Sequence, residues 1–196
     1  VIAGYHNETM IVAGGANFDK PFWEHEKQWH DDIWVIPVNG NTVGTWVKAG
    51  TLDHPVAYSA VVTTSLGIVA MGGGDGLSTY DEVILLTWDK ANKTVSQESL
   101  PSLPLPCCNG SAAMVGDVIY LAGGTESIDL SSAMTNFWRL DLSNYGNPSC
   151  AWEKLPAWPG PGRAYNITVA QHNGYSNCLY VMSGRKQGKA AGDWEI

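Results

Sequence analysis

Short apolar runs that end in glycine set the rhythm of this chain. Met10-Ile11-Val12-Ala13 closes on Gly14-Gly15, and Ile68-Val69-Ala70-Met71 closes on Gly72-Gly73. Ile119-Tyr120-Leu121-Ala122 closes on Gly123-Gly124, and Leu179-Tyr180-Val181-Met182 on Ser183-Gly184. The pairs recur at intervals of 58, 51 and 60 residues. Such runs, bounded by glycine, predict central strands covered on both faces. The glycines free the backbone at the strand end and remove Cβ atoms where chains crowd.

The flanking pattern repeats too. An acidic or amide residue opens a second apolar run at Asp32-Ile33-Trp34-Val35-Ile36, Glu82-Val83-Ile84-Leu85-Leu86 and Asn136-Phe137-Trp138-Arg139-Leu140. A third element carries Trp in two repeats, at Thr45-Trp46-Val47 and Trp152-Glu153-Lys154-Leu155. Ahead of the last three pairs, 58–63, 111–115 and 165–170 supply one more strand each. Four strands per repeat and a period near ~50 are the pattern of a kelch-type propeller blade. The expectation is therefore an all-β, kelch-type β-propeller of about three and a half four-stranded antiparallel blades. Within this single segment the blades run approximately 1–50, 51–104, 105–158 and an incomplete 159–196. The competing fold, a β-sandwich, asks for frequent turns but not for a glycine pair at one recurring place.

Val1-Ile2-Ala3-Gly4 reads as the inside of a strand, and a polar loop over 186–192 precedes Trp194-Glu195-Ile196, read as the opening of another. Closed propellers typically have about 4–8 blades. The expectation is a fragment of a longer propeller, or a chain that completes the ring by self-association.

Composition narrows the partners. Hydrophobic residues make up 44% and charged residues 15%, which is globular, and the net charge is −8 with no Lys/Arg cluster. That speaks against nucleic acid and anionic membrane surfaces as partners. No apolar run reaches the roughly 18 residues of a membrane span, and no signal-peptide pattern is visible in the chain. Cys107, Cys108, Cys150 and Cys178 lack C-x-x-C spacing. They read as buried free thiols with a disulfide left open, and not as a zinc site. Asp31-Asp32 reads as a strand start and not a metal pair, so no metal is expected. The Asn-x-Ser/Thr triplets at Asn7, Asn92, Asn109 and Asn166 are read as chance.

One resemblance is more specific than the blade pattern. Ala3-Gly4-Tyr5-His6-Asn7, Ile11 to Phe18, Trp23-Glu24 with Lys27, and His30-Asp31-Asp32-Ile33 together resemble a blade of the N-acetylneuraminate epimerases, the sialic acid mutarotases. Ala57-Tyr58-Ser59, Gly72-Gly73 and Asp81-Glu82-Val83-Ile84 resemble the blade that follows it. The stretch with Leu103-Pro104 and Ile119-Tyr120-Leu121 resembles the family's opening blade, and Gly160 to Arg163 with Leu179-Tyr180-Val181 its second. Late blades standing first imply the cyclically permuted branch of that family. The resemblance implies a bacterial isomerase, acting in the periplasm or otherwise outside the cytoplasm, on a small-molecule sugar acid. It also implies that the family's proposed general-base Glu falls beyond Ile196.

Mutarotation opens a cyclic hemiketal and recloses it on the other face. It needs a base for the anomeric hydroxyl and an acid for the ring oxygen, and no cofactor. The substrate carboxylate suits an Arg fork. The resemblance points to Arg163 for that role, and to Glu24 and Lys27, in the long loop after Gly15, as acid/base candidates. Asn17, Phe18, His30, Arg185 and Tyr165, with Glu126 behind them, are further candidates for substrate binding. Each has a plainer reading: Arg163 as an inter-blade ion pair, 24–27 as a solvated charged loop, Asn17 as a turn residue. The function expected is a sialic acid mutarotase. The alternative is a non-catalytic kelch module that binds a glycan or a protein.

Overall fold

The structure, a computed structural model, describes residues 1–190 and 193–196. The first glycine-terminated run is the second strand of its sheet. β1 (Ile2–His6), β2 (Thr9–Ala13), a loop hairpin of β3 (Ala16–Phe18) and β4 (Lys27–Trp29), then β5 (Asp32–Asn39), β6 (Thr42–Val43) and β7 (Val47–Thr51) make up the first repeat. The sheet runs β1-β2-β5-β7, with β6 on the far end of β5. The second repeat is β8 (Ala60–Thr63), β9 (Ile68–Met71), β10 (Val83–Asp89) and β11 (Thr94–Leu100). The third is β12 (Ser111–Val115), β13 (Val118–Ala122), β14 (Phe137–Asp141) and β15 (Glu153–Lys154). The fourth pairs β16 (Ile167–His172) with β17 (Asn177–Met182), followed by a hairpin of β18 (Lys186–Gln187) and β19 (Trp194–Glu195). All pairings within these sheets are antiparallel, and the innermost strands β1, β8, β12 and β16 stand side by side. These are the blades of a kelch-type propeller.

The outer strand of the second blade, β11, is mostly polar, in line with the Trp-bearing element being expected in two other repeats only. Two details differ from the sequence expectation. Trp194-Glu195 does not open a new blade strand; it closes a loop hairpin on Lys186-Gln187, the counterpart of β3–β4. Of the polar loop expected over 186–192, positions 191 and 192 lie outside the described residues. The run before each glycine pair is also not buried throughout. β9 is buried at every position, whereas Met10, Tyr180 and Met182 are exposed. The reason is the packing: β9 has a sheet on each side, while the first and fourth sheets each pack against one neighbour in this chain.

Two apolar cores show this alternation. Ile68 and Ala70 face the first blade, among Ile2, Ile11, Ile33 and Val35. Val69 and Met71 point the other way, against Ile119, Leu121, Trp138 and Leu140 of the third. Each such side chain contributes about 1.5–3 kcal/mol by leaving water.

Between blades the backbone is stitched at the glycine pairs. Gly14, Gly72 and Gly123 have φ of +60°, +60° and +67°. The following glycine donates its N–H to the link that enters the next blade: Gly15 to Val56 O at 2.7 Å, Gly73 to Cys107 O at 2.8 Å, Gly124 to Arg163 O at 2.8 Å. A Cβ on the first glycine would lie 2.4, 2.0 or 2.7 Å from that same carbonyl oxygen. At the opposite end, the β1–β2 turn grips the second blade. His6 Nδ1 accepts the Trp88 N–H at 3.0 Å, Asn7 Nδ2 donates to Trp88 O at 3.0 Å, and Lys90 pairs with Glu8 at 2.6 Å.

Two predictions follow from these contacts. Gly72→Ala should destabilise the protein by roughly 3 kcal/mol or more, combining a left-handed residue with a steric clash. Gly116→Ala, at φ +58° with open space around it, should cost only about 1 kcal/mol. Urea titration of both variants checks this, and equal losses would refute the stitching argument. Second, burial holds the His6 pKa below its usual 6.5, so folding favours the neutral ring that accepts from Trp88. Its contribution is complete above pH 6.5 and is lost as the pH falls below that value. His54 acts in the opposite sense. Burial opposes its charge, but Glu82 at 2.7 Å and the Pro55 carbonyl raise its pKa, so its contribution fades as the pH rises. The fall in urea midpoint between about pH 7.5 and about pH 5 should therefore shrink in His6→Gln.

Candidate functional site

The strand ends that carry the glycine pairs also carry the loops of one propeller face. Just ahead of the inner strands β8, β12 and β16 sits a residue in the left-handed region: Tyr58 at φ +64°, Asn109 at +59° and Tyr165 at +58°. They are joined in series, the Asn109 N–H donating to Tyr58 O at 2.9 Å and the Tyr165 N–H to Asn109 O at 2.9 Å. A Tyr held at positive φ is strained, and such strain persists only where the surroundings enforce it. Here the bridges Ala57–Gly74, Cys108–Thr125 and Ala164–Arg185 pin the residue just before each position.

Lys27 reaches this ring from the first blade. The β3–β4 hairpin brings its ammonium to the Tyr58 hydroxyl, to which it donates a hydrogen bond. Its Nζ lies 4.4 Å from the Tyr58 ring centroid, 4.9 Å from Trp29 and 5.8 Å from Phe18. Trp29 in turn meets Tyr58 edge-on at 5.7 Å. A cation over aromatic faces gains from the ring quadrupoles, by about 0.5–2 kcal/mol. On the fourth blade Arg185 repeats the arrangement, 5.3 Å over Tyr165 and 4.6 Å over Trp194. Partial burial raises the Tyr165 pKa, and nearby Cys108 and Tyr58 add to it, while Arg185 and Lys27 oppose. Tyr165 is thus a neutral hydroxyl within reach of both cations' fields. The Cys108 thiol beside it is pushed up to about 11 by burial, against the opposing hydrogen bond of Asn109 and the charge of Lys27.

The other candidates are placed as follows. Asn17 and His30 pair across the base of the hairpin, His30 Nε2 to Asn17 Oδ1 at 2.6 Å, and the His30 N–H donates to Gly15 O. Glu24 ends a short 3-10 turn at the tip, exposed, beside Phe22 and Trp23, whose rings meet edge to face at 4.9 Å. Glu126 is exposed on the third blade's loop. Arg163 does not join Lys27 and Arg185. It stands where the earlier links have Val56 and Cys107, beneath the second glycine of its blade, and donates from Nη1 to Ser183 O at 3.4 Å. Asp32 pairs with Lys48, which holds its carboxyl below the usual range. Among the described residues no group of three His, Cys, Asp or Glu side chains is placed to hold a metal.

Tyr58, Trp29 and Trp194 were not singled out from the sequence. The signal for Tyr58 was present, since Ala57-Tyr58-Ser59 occupies the place that Ala164-Tyr165-Asn166 occupies two repeats later.

A kelch-type propeller segment with two aromatic-backed cations at one mouth is the class that fold and site define. No protein-family model matches the chain. It is 32% identical over 109 residues to the N-acetylneuraminate epimerase of Brucella suis, covering 50% of this chain and 26% of that protein. The N-acetylneuraminate epimerases of Yersinia pestis and Vibrio cholerae are 31% and 30% identical over 98 and 99 residues, each match covering 44% of this chain and 24% of the relative. The match thus spans about a quarter of the length of these curated relatives. In fold, the chain is similar to the solved structure of YjhT, with a TM-score of 0.70 at 14% identity over 94% of this chain and 58% of that one.

All four cysteines are free thiols, and burial pushes Cys107 up to about 12. A buried, protonated thiol is a poor nucleophile. Cys107 and Cys108 should therefore react with a disulfide reagent about 100-fold more slowly in the native protein than in urea, read by mass spectrometry of the labelled peptides. Native labelling at the unfolded rate would contradict their burial.

Proposed function

We propose that this segment supplies part of the substrate site of a sialic acid mutarotase of the cyclically permuted kind. The observation that carries the reading is the convergence of Lys27, Tyr58, Tyr165 and Arg185 at one propeller mouth. It is supported by the similarity of about half the chain to N-acetylneuraminate epimerases. A sialic acid presents a carboxylate, a hemiketal hydroxyl, a ring oxygen and a hydroxylated tail. Arg185, exposed and braced by Tyr165 and Trp194, offers a planar donor fork to the carboxylate. Tyr165 offers a neutral hydroxyl beside it. Exposed Phe22 and Trp23 at the hairpin tip give an apolar wall for a sugar face.

Mutarotation breaks the bond between the anomeric carbon and the ring oxygen. One proton leaves the anomeric hydroxyl, one arrives at the ring oxygen, and the open ketone recloses on either face. The resemblance assigns the base to a Glu outside this chain. Exposed apolar residues on the outward faces, Tyr5, Met10 and Trp34 on the first sheet and Ile167, Tyr180 and Met182 on the fourth, are surfaces that a further sheet would cover. That supports completion of the ring by more blades or by a second copy.

Proton NMR of freshly released α-N-acetylneuraminate tests the reading. Conversion to the β anomer should be accelerated at catalytic levels by the protein that also carries the blade with this Glu. Arg185→Ala should weaken sugar binding by about tenfold, the worth of one charged hydrogen bond. No acceleration, together with binding of glycan that Arg185→Ala leaves unchanged, would establish the non-catalytic binding module instead.

A further inference from the structure

Building on that mutarotase reading, we propose that Tyr58 is the acid that protonates the sugar's ring oxygen, with Lys27 as its positioning partner. The sequence candidates for proton transfer were Glu24 and Lys27, and neither is built for it. Glu24 sits exposed at a loop tip and makes no ion pair among the described residues. Lys27 is turned toward its own protein, its ammonium donating to the Tyr58 oxygen and flanked by the Tyr58, Trp29 and Phe18 rings.

Tyr58 has the geometry that Lys27 lacks. A phenol carries one proton and accepts through its lone pairs. With the Lys27 ammonium donating to the oxygen, the phenol's own proton has no acceptor among the described residues and is left for a ligand. The side chain is more than a third exposed at 37%. Its backbone is locked at φ +64° by the Ala57–Gly74 bridge and by the Asn109 N–H. The positive φ is shared with Asn109 and Tyr165; what distinguishes Tyr58 is a fixed backbone carrying an open hydroxyl on which a cation already donates. Trp29, edge-on to the ring, limits where the hydroxyl can point.

The step balances once the Glu carboxylate that the resemblance assigns as base, outside this chain, takes the anomeric proton. As the bond between anomeric carbon and ring oxygen breaks, its electron pair stays on the ring oxygen, which takes the Tyr58 proton. The anomeric hydroxyl loses its proton to the base and becomes the ketone. Charge developing on the phenol oxygen meets the ammonium already hydrogen-bonded to it, which needs no rearrangement during the step. Reclosure runs the transfers backwards on the opposite face and returns the proton to Tyr58.

The test uses the protein that carries the blade with the base and the same NMR assay, with sugar affinity measured separately by calorimetry. Tyr58→Phe keeps the ring, its packing on Trp29 and the cation contact, and removes only the hydroxyl. It should lower kcat by about 10²-fold or more, the usual worth of a general acid, while KM and the calorimetric affinity change less than about threefold. Lys27→Met should lower kcat by about tenfold, and Lys27→Arg should restore most of it, because the role asks for a cation donating at that point. Unchanged circular dichroism and melting temperature confirm that each variant is folded. An active parent with a Tyr58→Phe variant of equal kcat overturns the proposal and leaves the mutarotase reading intact. A parent that does not accelerate conversion overturns that reading, and the role of Tyr58 with it.

Discussion

One hydrogen bond, repeated at each seam, holds the blades in their radial order: the amide of a strand-end glycine donating to the link that enters the next blade. It forms at Gly15, Gly73 and Gly124 with distances of 2.7–2.8 Å. Its condition is steric. The residue before each donor has φ near +60° and no Cβ, and a Cβ there would occupy the space of the accepting carbonyl or press hard against it. Glycine satisfies both demands at once. Apolar burial between sheets supplies most of the free energy but is not directional. The amide bond sets where along the strand the next blade attaches, and so which side chains of neighbouring blades meet.

The candidate site inherits this arrangement. The link carbonyls that accept from the glycines belong to Val56, Cys107 and Arg163, and two residues further on come Tyr58, Asn109 and Tyr165 in the left-handed region. The stitch thus fixes the ring that carries both tyrosines. Lys27 and Arg185 are delivered to it by loop hairpins, β3–β4 and β18–β19, that rise from the same glycine-terminated strand ends. The ring quadrupoles beside them favour both cations. The same geometry explains Arg163: as a link residue it is tied by its backbone into the seam, and its side chain lies under Gly184 where Val56 and Cys107 lie in earlier blades.

The chain itself determined the blade as a unit. The continuous apolar run along 68–71, the glycine pairs at a near-constant interval, and the strands read as opening at Asp32, Glu82 and Asn136, which begin at Asp32, Val83 and Phe137, were legible, because burial on two faces and positive φ leave compositional marks. β11 was not pinned, since a mostly polar outer strand buried only at Leu100 carries little such mark. For the site, Lys27, Phe18, Tyr165 and Arg185 were legible as individual residues. Their association was decided by tertiary structure: Lys27 meets Tyr58 across 31 residues and a blade boundary, and Tyr165 feels charges from the first and fourth blades. The physical reason is that local pattern records what a residue's own strand requires of it. A site on a propeller mouth is made where different blades converge on one axis, and that convergence is set by inter-blade backbone bonds which no single repeat contains.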